Sequence, residues 1–185
     1  MAKKTINVKV RVFIEEMLSY YQWDNSYGTI DKPFPAESFY LLEAPKAKFT
    51  GPLKDILVFE NDTEFHWNIE SGAGGIVNFV DLNGDSQLDL QMITSSPSQK
   101  KWDKTIKNAP QMDDKGKIKF LPKDKEHKDG SLKKEFVFAT TDSVPEDAVM
   151  KYSILFEFKD QKDKLKYGFV DPFAGGGIPP PPPPP

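Results

Sequence analysis

Apolar side chains recur at every second position over Ile6, Val8, Val10 and Val12, with Asn7, Lys9 and Arg11 between them. A period of two sends alternate side chains to opposite faces of an extended chain, so this segment predicts a strand with one buried face. The same alternation marks Phe65, Trp67 and Ile69, then Leu88, Leu90 and Met92, then Tyr152, Ile154, Phe156 and Phe158. Shorter β-prone runs fall at 39–42, 56–59, 76–80, 118–121, 136–140 and 166–170, and turn formers such as Asn83-Gly84-Asp85 and residues 160–164 separate most of them. One helical patch stands out at 14–21, where Met17, Leu18 and Tyr21 share a face. About ten short strands with no repeating helix between them predict an all-β chain, a single antiparallel β-sandwich of jelly-roll or Ig-like type with one short helix. The sandwich domain is expected over 1–174 and a Gly/Pro-rich tail over 175–185.

Composition narrows the class. A chain of 185 residues suits one ordinary domain, which buries about 70% of its unfolded surface. With 12% aromatic residues, 14 of them Phe, there is enough apolar volume for a core. A net charge of −3 argues against a nucleic-acid partner. The absence of Cys removes disulfides, thiolate metal sites and a Cys nucleophile. Asn7, Lys9 and Arg11 interrupt the apolar stretch that a signal peptide beginning at Met1-Ala2-Lys3-Lys4 would need. No run approaches the roughly 18 apolar residues of a membrane helix. A soluble, cytoplasmic protein without a membrane partner is therefore expected.

Two segments break the β pattern. Residues 100–134 carry twelve Lys against six Asp or Glu, a net +6 that leaves −9 for the rest of the chain. With few large apolar residues, the region at about 94–134 reads as a long, solvated basic insertion. Its sharper reading is a patch for an acidic partner, including the acidic remainder of a second copy. In the tail, Gly175-Gly176-Gly177 and Ile178 precede Pro179, Pro180, Pro181, Pro182, Pro183, Pro184 and Pro185. Proline fixes φ and has no amide donor. Seven in a row predict a polyproline II rod of about 22 Å, of the kind that docks in aromatic grooves of a polyproline-binding partner. The plain alternative is a solvated tail.

Candidate chemistry is concentrated at Asp81-Leu82-Asn83-Gly84-Asp85-Ser86-Gln87-Leu88-Asp89. Oxygen donors at this spacing suit Ca²⁺, with Asp81, Asn83, Asp85 and Asp89 as side-chain ligands and Gln87 giving its carbonyl. The spacing resembles the calcium loops of dockerin modules and integrin-type propeller repeats. Ser86 stands where an EF-hand loop has Gly, and Met92 where it has a bidentate Glu. The competing reading is a hairpin whose Asn83-Gly84 turn joins 76–80 to 88–93. Tyr20, Tyr21, Trp23 and Tyr27 lie near Asp24 and Asn25. Such rings, Trp23 and Tyr27 above all, either stack on a carbohydrate or cap one end of the core. Enzymatic signals are thin. His66 and His127 are far apart, Gly72-Ala73-Gly74-Gly75 opens no helix, and no nucleophile elbow, phosphate loop or zinc-protease helix is present. The chain reads as a non-enzyme, without catalytic residues and without a cofactor other than calcium.

Four places in the sequence resemble the PixA/AidA family of bacterial inclusion-body proteins. Ile6–Ile14 followed by Glu15-Glu16-Met17-Leu18-Ser19-Tyr20-Tyr21 is similar to its opening strand and short acidic helix, and Ser38-Phe39-Tyr40-Leu41-Leu42 to its second strand. Glu60-Asn61-Asp62-Thr63-Glu64-Phe65-His66-Trp67 resembles the "GDxIxW" region, with Asn61 where Gly is usual. Lys151–Phe158 followed by Gly168-Phe169-Val170-Asp171-Pro172-Phe173 resembles the closing strands and the "GYxxWDP" ending, with Val170 in place of Trp. The resemblance implies a small β-sandwich of no established enzymatic activity, some of whose relatives accumulate as crystalline cytoplasmic inclusions, and it supplies no catalytic residues. The expected function is self-association into ordered assemblies, the partner being further copies of the chain. The alternative is a carbohydrate- or calcium-binding module.

Overall fold

In the computed structural model, residues 4–50, 56–80, 88–93, 96–126, 130, 132–146 and 148–171 are described. In chain order the elements are β1 (Lys4–Val12), α1 (Ile14–Tyr20), β2 (Phe34–Pro35), β3 (Tyr40–Glu43), β4 (Lys48–Thr50), β5 (Ile56–Val58), β6 (Thr63–Ser71) and β7 (Val77–Phe79). They continue with β8 (Leu88–Met92), α2 (Gln99–Thr105), β9 (Lys117–Phe120), β10 (Lys123–Glu126), β11 (Leu132–Ala139), β12 (Val149–Lys159) and β13 (Leu165–Val170). No helix among the described residues is long and apolar enough to cross a membrane.

The strands form two sheets. One has the order β10-β11-β6-β1-β3. In the other, β12 carries β13 and β5 on one side, with β2 and β4 beyond them, and β7 and β8 on the other side, with β9 beyond β8. The alternation predicted from sequence sets the inner faces. Val8, Val10 and Val12 of β1, Phe65 and Trp67 of β6, and Met150, Ile154 and Phe156 of β12 are fully buried. Rings then meet between the layers: Phe79 and Phe136 at 4.5 Å, Phe120 and Phe138 at 4.8 Å, Trp67 and Tyr152 at 5.3 Å. Such ring pairs contribute about 0.5–1.5 kcal/mol each beyond the area they bury. The Tyr40 and Tyr152 hydroxyls share a hydrogen bond of 2.9 Å and pin β3 to the opposite layer.

Strand direction departs from the antiparallel expectation. β1 runs parallel to β6 through nine register pairs, from Lys4 opposite Thr63 to Val12 opposite Ser71, and β13 runs parallel to β2. Between β1 and β6 the chain builds α1 and four strands, so it re-enters at the end where β1 began. Alternation assigns a side chain to a face and says nothing about the direction of the neighbouring strand.

The hairpin expected around Asn83-Gly84 does not join its two strands. β7 and β8 are both antiparallel to β12, opposite 156–158 and 150–153 respectively, so they run the same way along one edge of β12. The residues between them, Asp81 to Gln87, lie outside the described residues.

The basic stretch is likewise more than a solvated insertion. It holds α2, a second helix where one was expected, which opens on Ser98, whose side chain accepts from the Lys101 amide. Trp102, Ile106 and Ile118 are fully buried, and the Trp102 indole donates to the Gly116 carbonyl at 3.2 Å. Trp102, Ile106, Ile118 and Phe120 belong to the core, while Leu121, Leu132, Lys119, Lys123, Lys125 and Lys133 stay exposed. β9 and β10 are both outer strands, and the Phe120–Phe138 stack brings β9 against β11, so the lysines share one flank of the sandwich. The polyproline segment, Pro179 to Pro185, lies outside the described residues.

Candidate functional site

Asp89 is the one member of the proposed calcium set within the described residues. On β8, Leu88 and Leu90 point into the core, so Asp89 faces outward, opposite Ser153 of β12 and Lys119 of β9. Around it is a pocket of about 230 Å³ lined by Asp89, Gln91, Lys117, Lys151, Ser153 and Asp171, with Tyr152. The Asp89 side chain is only 13% exposed, with the Lys117 ammonium 4.0 Å away, and its Oδ1 is buried without a hydrogen-bond partner. Burial pushes its carboxyl above the usual carboxylate range, Lys117 and Lys119 pull it back, and Asp113 and Asp171 add to the rise. A carboxylate short of donors suits a cation, but here an ammonium already stands beside it. No group of three or more His, Asp or Glu side chains among the described residues is placed to hold a metal. Of the residues lining this pocket, sequence spacing pointed only to Asp89; Lys117 on β9, Lys151 and Ser153 on β12, and Asp171 just after β13 join it through register.

A larger cleft of about 720 Å³ opens between α1, the β6–β7 connection and the β12–β13 turn. Ile14 and Leu18 from α1, Ile76 and Phe158 supply its apolar lining, and Glu15, Lys159 and Asp160 its charges. The Ser71 hydroxyl in this cleft is buried without a partner. Glycine-rich residues 72–75 therefore border a cleft but open no helix.

The aromatic segment divides. Tyr27 packs on Tyr21 at 5.0 Å and stacks on Phe34 at 6.2 Å, with the Lys32 ammonium 4.2 Å from its ring centroid. Tyr21 also meets Tyr20 and Phe39, and burial together with the Glu37 carboxylate lifts its phenol to about 12. Trp23, two residues beyond Tyr21, is 60% exposed, while Trp67 and Trp102 are fully buried.

His66 lies outward on β6, on the face opposite Phe65 and Trp67, as the alternation predicts. Its Nε2 is 2.9 Å from a Glu64 oxygen, and its Nδ1 is 3.6 Å from Glu135, a carboxylate only 3% exposed that Lys125 pairs at 3.0 Å. His66 lines neither cleft. His127 lies outside the described residues.

Fold and clefts together define a two-layered β-sandwich of mixed strand direction. One solved structure to which this chain is similar is the crystal structure of an inclusion body protein, PixA, from Burkholderia cenocepacia. The match has a TM-score of 0.49 and 12% sequence identity, and covers 92% of this chain and 92% of that one. No family model matches the chain, and no curated protein matches it.

Proposed function

We propose that this chain is an inclusion-body-type protein, without catalytic activity, whose role is ordered self-association. The observation that carries the reading is the separation of charge. Of the segment with net +6, Lys117, Lys119, Lys123, Lys125, Lys133 and Lys134 lie on the flank built by β9, β10 and the start of β11, with Asp124 and Glu126 among them, and the remaining −9 of the sequence lies outside residues 100–134. Leu121 and Leu132, 57% and 70% exposed, sit beside those lysines and give the flank apolar contact area. Glu15 and Glu16 are exposed on α1, outside the basic segment. A contact between two different patches of the same molecule is head-to-tail, so it propagates rather than closing into a dimer.

Light scattering over a salt series tests this. Assemblies present at low ionic strength are expected to shrink by about 0.5 M salt, where the screening length is only a few ångströms. Scattering that is the same at both ends of the series overturns the electrostatic reading. Lattice-bearing bodies in electron micrographs of expressing cells are the corresponding expectation in the cell.

A further inference from the structure

We propose that the Pro179–Pro185 segment docks on the aromatic surface of its own chain formed by Tyr20, Tyr21, Trp23 and Tyr27. The strand pairing brings the last described residue before the segment, Asp171, toward those rings. β13 lies parallel to β2, with Gly168 opposite Phe34 and Phe169 opposite Pro35, and the Ala36 amide donates to the Phe169 carbonyl at 2.9 Å. One step further, the Glu37 carboxylate accepts a hydrogen bond from the Asp171 backbone. Phe39 follows two residues later, with its ring 5.5 Å from Tyr20 and 6.2 Å from Tyr21. The chain thus leaves the second sheet beside the rings.

Length and chemistry agree with that placement. From Asp171 to Pro179 is eight residues, which span at most about 29 Å when extended, and Gly175-Gly176-Gly177 gives the chain freedom to turn back. A polyproline II rod offers pyrrolidine faces and bare carbonyls at a low ordering cost, and such rods pack on exposed aromatic side chains. Neighbouring rings here touch, with centroids 5.0–6.2 Å apart, and form a continuous aromatic patch for the rod to lie across, and Trp23 is a large indole left 60% exposed. A tether this short holds the segment at an effective concentration of about 1 mM, which favours the chain's own rings over a second copy in dilute solution.

The three tryptophans make the test direct, because Trp67 and Trp102 are fully buried and only Trp23 is open to a quencher. Acrylamide quenching is compared between the parent and a full-length variant with serine at all seven positions, Pro179→Ser through Pro185→Ser. The comparison is made in about 0.5 M salt, where electrostatic association is screened, so that self-association and docking fail independently. The quenching constant of the parent is expected to be about half that of the serine variant, the result for a site of about 1 mM affinity half-filled by its own tether. Trp23→Ala should remove the quenchable fraction from both, which assigns the signal. Equal constants in parent and serine variant overturn the proposal. A difference that fades on dilution overturns docking within one chain and assigns the segment to a neighbouring copy.

Discussion

Individual residues differ in how much their neighbours constrain them. At Gly168 a Cβ would stand 2.2 Å from Cζ of Phe156, the residue opposite it on β12. The ring is fully buried and has no room to retreat. Gly168→Ala should therefore cost about 1–3 kcal/mol and lower the melting temperature by several degrees, measured by calorimetry. Asp89 and Asp160 should respond to pH with opposite signs. Burial raises the Asp89 carboxyl in the folded state, so its contribution is most favourable in acid and is lost as pH rises through the folded value. Asp89→Asn should consequently raise the melting temperature at neutral pH, and the gain should vanish below the ordinary carboxylate range. The Asp160 carboxyl is lowered, chiefly by amide hydrogen bonds from Lys164 and Lys162. Its contribution is present above the unfolded value and lost as pH falls, so Asp160→Asn should lower stability at neutral pH only. A calorimetric pH series on both variants reads the two signs together.

At the scale of elements, α2 is where charge concealed structure. Its apolar signal is the pair Trp102 and Ile106, four residues apart and set among lysines, and that density of charge reads as solvated chain. In the fold the pair fills the core beneath a lysine surface, and Ile106 bridges to Thr140. Trp102→Ala should cost about 3–5 kcal/mol in denaturant unfolding, whereas Lys104→Ala on the exposed side of the same helix should change stability by less than about 0.5 kcal/mol. Equal effects would mean that the helix does not anchor the segment. The β7–β8 connection departs from the expected hairpin for a different reason. Asn-Gly is a local turn signal, and it carries no information about whether the strands on either side pair with each other or both with a third.

Across the whole molecule, the proposed association turns on the basic flank. Reversing two exposed lysines on the basic flank, Lys123→Glu with Lys133→Glu, moves residues 100–134 from +6 to +2. Light scattering at low salt should show association strongly reduced in that variant. A double variant that assembles like the parent would remove the basic flank from the contact. Lys123 and Lys133 are both exposed, so folding itself should be little changed.

By itself the sequence determined which side chains turn inward. Alternation along β1, β6, β8 and β12 is a property of each strand's own backbone, and it placed Val8, Trp67, Leu90 and Phe156 in the core and His66 and Asp89 outside it. Only the tertiary structure decided which strands are neighbours and in which direction they run. That choice set β1 parallel to β6, brought Lys117 and Asp171 to Asp89, and carried the end of β13 to Glu37. These contacts join residues far apart in the chain, and their register depends on the path of every intervening connection, which no local pattern of residues encodes.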